Sequence, residues 1–251
     1  MLEQGTNRLL LEHLFNTRDI GGIAGKDGKL TVFGRFLRSD APISIHDDEI
    51  KTLLSYPVKT VIDLRSEDEV QKEPNLLSTV PEIEYIHIPI IDFSAENDDA
   101  EDMKAMLSKT MGDFYVYMLE NKKAAFARIF TVIANAKEGA VFFHCTHGKD
   151  RTGIVAGILL SLIGVERERI LKNYEISYQL LQPLIAELLE KFPEKMHPYL
   201  RSDREYLMKV LDFFDTNYQG NSELYLLEIG ITPKEIQRIR ARLLEENFEA
   251  N

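Results

Sequence analysis

The sequence holds a single cysteine, Cys145, and no tryptophan among its 251 residues. A lone cysteine excludes an intrachain disulfide and any metal site built on several thiolates. It suits a reducing compartment without specifying one. Positive charge is also scarce: 30 Lys and Arg face 41 Asp and Glu, for a formal charge of −11. A generic nucleic-acid binder carries the opposite balance, so nucleic acid is not an expected partner. The longest apolar run, Ile154 to Ile163, is too short to cross a bilayer, which argues against stable membrane insertion. Residues Met1 to Arg8 lack the basic segment and apolar core of a secretory signal, so a cytoplasmic location is expected. No internal repeat, low-complexity stretch or dividing linker interrupts the chain.

What is present is ample for a core. Apolar residues make up 44% and charged residues 28%, the balance of an ordinary globular domain spanning 1–251. The chain is organised around His144-Cys145-Thr146-His147-Gly148-Lys149-Asp150-Arg151-Thr152-Gly153. Ala140 to Phe143 precede it as a wholly apolar run that reads as a buried strand. Ile154 to Ile163 follow as a buried helix. A strand, a short loop and a helix N-terminus therefore meet at the only cysteine. Backbone N–H groups and the positive end of the helix would converge there on an anion. A cysteine in that place is favoured as thiolate.

Elsewhere the patterning alternates between strands and helices. Residues 1–15 form an amphipathic lead-in, and Asn16 to Gly22 gather turn formers around Arg18 and Asp19. Leu30 to Arg38 reads as a strand, Asp47 to Tyr56 as a helix, and Val58 to Arg65 as a second strand. Ser66 and Glu69 form a capping box for a short helix. Glu84 to Ile91 is strand-like, and 92–102 is an acidic loop. Helices are expected at 103–120 and 122–137. Beyond the cysteine loop the chain reads as helical at 166–181, 184–192 and about 202–215, with Ser202 and Glu205 as a capping box. Thr232-Pro233-Lys234-Glu235 opens the last helix. The expected fold is α/β, a central mostly parallel sheet flanked by helices, with a helical C-terminal third and the site at the carboxyl ends of the strands.

The loop matches the needs of attack on a phosphate monoester: a nucleophile, a cradle for three oxygens, added positive charge and an acid for the leaving group. Cys145 is the candidate nucleophile. The amides of Thr146, His147, Gly148, Lys149, Asp150 and Arg151 are the cradle, and Gly148 lets the backbone turn. Arg151 offers a planar fork for two oxygens. Thr152 could donate its hydroxyl to the departing thiolate, and His144 is placed to orient the loop from beneath. This chemistry requires neither metal nor cofactor.

The ten residues resemble the signature of cysteine-dependent protein tyrosine phosphatases, His-Cys, five residues, then Arg-Ser/Thr-Gly. They are more similar to a bacterial tyrosine phosphatase family whose loop reads His-Cys-x-x-Gly-Lys-Asp-Arg-Thr-Gly. That family also carries an Asn-x-Arg-Asp motif, matched by Asn16, Arg18 and Asp19. Its Arg-Ser pair is matched by Arg38 and Ser39, and its Asp-Leu-Arg-Ser element by Asp63, Leu64, Arg65 and Ser66. The resemblance implies a cysteine-phosphatase-like fold and a phosphocysteine intermediate. It also implies activity on phosphotyrosine and, as for a secreted mycobacterial member, on phosphoserine/threonine and phosphoinositides. Arg18, Asp19, Arg38, Asp63 and Arg65 would then be supports of the loop.

The acid is open between Asp92, which follows a strand end and resembles the family's acid position, and Asp150 inside the loop. Asp150 could instead brace Arg18, Arg38 or Arg65. Lys149 adds a second cation to the cradle, as in phosphatases that accept phosphoinositides. Residues 174–215 match the region that forms a helical lid in the mycobacterial relative. Two other classes compete. A phospho-binding module without turnover would need a missing acid. A sulfurtransferase shares a comparable cysteine loop, whereas an arsenate reductase usually needs a resolving cysteine that is absent here.

Overall fold

A computed structural model describes residues 2–91 and 101–244. Five strands form one sheet: β1 (Arg18–Asp19), β2 (Phe36–Ser39), β3 (Val58–Asp63), β4 (Glu84–His87) and β5 (Ala140–His144), in the order β1-β2-β5-β3-β4. Only β1 runs antiparallel, against β2. The other four are parallel, as the apolar character of Ala140 to Phe143 requires of a strand covered on both faces. Alternation divides β5 between the two faces. Val141 and Phe143 join one core, and Ala140 and Phe142 join the other.

The first core is the larger. It packs α4 (Met111–Asn121), α5 (Lys123–Asn135), α6 (Asp150–Leu162), α7 (Arg167–Leu180), α9 (Arg204–Tyr218), α10 (Ser222–Glu228) and α11 (Pro233–Leu244) against one face. The opposite face is covered by α1 (Asp47–Ser55) and the N-terminal segment, whose Leu9 and Leu14 are buried with Leu53. Pairing places Ser39 beside His144, His144 beside Asp63, and Asp63 beside His87. The carboxyl ends of four strands thus form one rim, where an open parallel sheet leaves its crevice.

The structure corrects several sequence expectations. The amphipathic lead-in folds back on itself through a Leu2–Leu9 bridge, and an Arg8–Arg18 bridge binds it to β1 at the sheet edge. The strand read from Leu30 is confined to β2, because Leu30 forms only an isolated bridge with Ala24 and a turn at Phe33–Gly34 interrupts the run. The helix expected over 103–120 is two, α3 (Glu101–Ser108) and α4. Thr110 caps α4 by accepting the Asp113 N–H at 3.2 Å. Ser202 does not cap α9. Its hydroxyl accepts the Tyr178 N–H and donates to Glu175 O, tying that turn to α7 instead. The 174–215 segment is also not uniform. Tyr174 of α7 and the buried face of α9 belong to the main core, whereas α8 (Gln182–Lys191) and Leu200 at the end of the 3-10 helix Glu194–Leu200 pack in a separate cluster with Tyr178 and Phe15. Among the described residues no helix is long and apolar enough to cross a membrane.

Candidate active site

The cysteine loop connects β5 to α6, and its backbone is held from outside. His144 O accepts from Leu64 N (2.9 Å) and Thr146 O from Ala41 N (3.0 Å). The Asn16 side-chain amide donates to His147 O and Arg38 to Gly148 O, each at 2.9 Å. The His144 ring lies 3.1 Å from Cys145 O. Every carbonyl from His144 to Gly148 is thus engaged. In a trans peptide the next residue's N–H points the opposite way, so the amides of Cys145 through Lys149 face the loop's interior. Gly148 has φ +67°, and a Cβ there would sit 2.2 Å from Ser39 O. Both the backbone conformation and the close approach demand glycine.

Arg151 stands in the first turn of α6 with its fork held by Glu69. The Arg151 NH1 and NH2 groups donate to the two Glu69 oxygens at 2.6 and 2.8 Å. The Thr146 hydroxyl donates to Oε1 of the same carboxylate, and the Ser66 N–H donates to its Oε2 at 2.7 Å. The capping box that starts α2 (Glu67–Lys72) therefore also aims the arginine. Burial opposes the charge on Glu69, but the hydrogen bonds and charge of Arg151 outweigh it and hold the carboxyl down to about 2. The role at Arg151 was not legible in the sequence, where Ser66 and Glu69 signal only a helix start.

Beneath the loop lie two buried guanidinium groups. Arg18 donates to the side chain of Asn16, and to Asn16 O, Asn173 O and the Ser177 hydroxyl. Arg38 donates to Asn173 Oδ1 (2.8 Å) and Gly148 O. Neither forms an ion pair with a carboxylate among the described residues; Arg38 brings its charge under the loop through Gly148 O, whereas Arg18 reaches the loop only through Asn16, whose side chain holds His147 O. Burial lowers the pKa of Arg38 to about 10, against the opposing pull of the negative charge Cys145 can carry. Asp19, also buried, accepts from the N–H groups of Gly21 and Gly34 and from the Tyr56 hydroxyl; it organises turns at the sheet edge. Asp63 receives Arg65 through Nε and NH2, together with Asn75 Nδ2 and Tyr85 OH. Asn75 in turn lies 2.8 Å from His144 Nε2, which links this group to the loop. Burial lowers the pKa of His144, and burial with Lys149 holds His147 down to about 4; both imidazoles are neutral near pH 7.

Lys149 does not reach into solvent. It is buried, and its ammonium donates to Asp150 Oδ1 (2.8 Å) and Tyr199 O (2.9 Å). Asp150 also accepts the Tyr115 hydroxyl, itself 2.7 Å from Tyr174 OH. Asp150 therefore touches neither Arg18, Arg38 nor Arg65. The Thr152 hydroxyl is buried and has no hydrogen-bond partner among the described residues. Asp92, the other acid candidate, lies outside the described residues. The arrangement as a whole is a cradle of inward amides around one thiol, with one aimed guanidinium and two more below, suited to hold a tetrahedral oxyanion.

A family model described as "Tyrosine phosphatase family" matches residues 9–245. A tyrosine-protein phosphatase of Nostoc commune is 34% identical over 83% of this chain and 74% of its own length. The triple specificity protein phosphatase PtpB of Mycobacterium tuberculosis is 26% identical, covering 84% of this chain and 91% of that protein. A solved structure of P. aeruginosa TpbA in complex with pTyr aligns with 16% identity and a TM-score of 0.39, over 79% of this chain and 87% of that one.

Proposed function

The chain belongs to the tyrosine phosphatase family, and from that premise we propose that it hydrolyses phosphate monoesters through a phosphocysteine, with dual or broad specificity. The observation that carries this reading is the cysteine loop, whose five outward-tied carbonyls turn its amides toward the space beside Cys145. The Cys145 thiolate attacks phosphorus as the bond to the leaving oxygen breaks. The amides and the fork of Arg151 carry the equatorial oxygens, with Glu69 keeping the fork in place. Asp92 protonates the leaving oxygen. Asp150 is the alternative, although its Oδ1 already accepts from Tyr115 and Lys149, which suits a positioning role. Water then gives a proton to the Asp92 carboxylate as its oxygen attacks phosphorus, the S–P bond breaks, and the Thr152 hydroxyl, without a partner among the described residues, donates to the departing thiolate.

Phosphotyrosine is the first substrate class. The likeness to a triple specificity enzyme supports phosphoserine/threonine as well. Phosphoinositides would engage Lys149, whose ammonium is capped by Tyr199 O in the 3-10 helix after α8. Residues 181–200, with their own small apolar cluster, act as a lid that must shift to release it.

Cys145→Ser should abolish hydrolysis of an aryl phosphate, and full activity in that variant overturns the mechanism. Binding of a phosphotyrosine peptide by the unaltered chain without hydrolysis at any pH would favour the phospho-binding module. Asp92→Asn should remove the limb of the pH–rate profile that reports the protonated acid. If only Asp150→Asn does so, the acid is Asp150.

A further inference from the structure

Away from the cysteine loop, two histidines and a glutamate converge where the N-terminal segment meets the start of α1. His13 comes from that segment, His46 immediately precedes α1, and Glu49 stands in its first turn. One ligand atom from each lies within 4.8 Å of the other two. His13 Nδ1 is 2.7 Å from Glu49 Oε2, and the two imidazole centroids are 4.3 Å apart.

Buried neighbours anchor all three. Leu11 and Leu14 on either side of His13 are buried, as are Ile45 before His46 and Leu53 one turn beyond Glu49. Glu49 itself is buried, and its carboxylate is aimed by the N–H groups of His13 (2.9 Å) and His46 (3.1 Å). The two imidazoles remain partly open to solvent, so water can reach the centre of the cluster. None of these residues takes part in the phosphate chemistry proposed above.

Two imidazole nitrogens and one carboxylate oxygen, with a place for water, are the donor set of a borderline divalent transition ion. Magnesium and calcium prefer oxygen ligands and fit it poorly. We infer that His13, His46 and Glu49 bind a divalent transition metal of the zinc class through three protein ligands and one water. His13 Nδ1 and Glu49 Oε2, 2.7 Å apart without the ion, move apart as it displaces the proton they share, because two tetrahedral bonds of about 2 Å need a wider separation. It joins α1 to the segment that continues into Phe15 and Asn16, whose backbone N–H groups donate to Asp40 at 2.9 and 3.0 Å. The Asn16 side chain in turn holds His147 O. The metal is therefore a clamp on the outer support of the cysteine loop and takes no part in turnover.

The test uses the full chain carrying Cys145→Ser, which removes the competing thiolate. After chelator treatment it is titrated with zinc chloride by calorimetry and melted with and without zinc. One zinc per chain and a Tm rise of about 5–10 °C at a hundredfold excess over Kd are expected. His46→Ala should weaken zinc binding more than about tenfold, since even outer-shell changes at metal sites reach that size. Its metal-free Tm should stay within about 2 °C of the parent, as for other exposed substitutions. His13→Ala should weaken zinc binding likewise. Zinc affinity unchanged in both variants, no zinc uptake at all, or equal affinity for magnesium overturns the inference.

Discussion

Replacing Glu69 by Gln removes a negative charge from beside Arg151 while changing little in shape. A carboxyl held at about 2 against an ordinary 4.5 is bound more tightly in its charged form by about 3 kcal/mol. About a quarter of the side chain is exposed, and solvent screening brings the contribution to about 2 kcal/mol. Glutamine keeps one acceptor oxygen, but a neutral hydrogen bond has about half the strength of a charge-assisted one. Glu69→Gln should therefore cost about 1–2 kcal/mol, a fall in Tm of about 3–6 °C. The loss depends on pH in a defined sense. Glu69 titrates lower in the folded chain than in the unfolded one, so its contribution is complete above about 4.5 and shrinks as pH falls toward 2. The Tm gap between variant and parent should close over that window. Activity is the sharper readout. A fork free to rotate misplaces its donors, and kcat/KM for an aryl phosphate should drop about 10- to 100-fold. An unchanged kcat/KM would refute the positioning role. An increase would mean that the Glu69 carboxylate occupies the substrate's oxyanion position.

Three further outcomes follow from other contacts. Gly148→Ala puts a methyl 2.2 Å from Ser39 O at a positive φ, so aryl phosphate hydrolysis should fall to background; retention of more than a tenth of the activity would show that the loop can move away from β2. Asp63→Asn leaves the buried Arg65 without a charged partner, at a cost of about 3–5 kcal/mol, and thermal melting should show a fall of about 10 °C or more. Lys149→Met removes the ammonium while keeping an apolar stem of similar length; it should depress phosphoinositide hydrolysis more than phosphotyrosine peptide hydrolysis, and equal losses would argue that Lys149 only braces Asp150 and Tyr199.

The strand, loop and helix around Cys145 were legible because their signals are local: an apolar run, a glycine turn and a helical run within about twenty residues. The support from Arg38 was legible only through resemblance, since nothing in Phe36 to Ser39 by itself says that its arginine turns toward Gly148 O. Asp150 shows the limit of proximity in sequence. It adjoins Arg151, yet its partners are Tyr115 on α4 and Lys149. Ser202 and Ser66 carry the same capping signal, but only Ser66 caps, because Tyr178 and Glu175 on α7 compete for the Ser202 hydroxyl.

By itself the sequence determined the α/β class, the mostly parallel sheet and the strand–loop–helix unit that carries Cys145. Each depends on periodicity or on the backbone geometry of a few consecutive residues, which the chain carries wherever it folds. Tertiary structure alone decided what surrounds that loop. Glu69 meets Arg151 across 82 residues, Arg38 meets Gly148 across 110, and Lys149 is sealed by Tyr199 across 50. Those pairings follow from strand order and from the packing of α2 and α7–α9 against one rim of the sheet, and no local propensity encodes them.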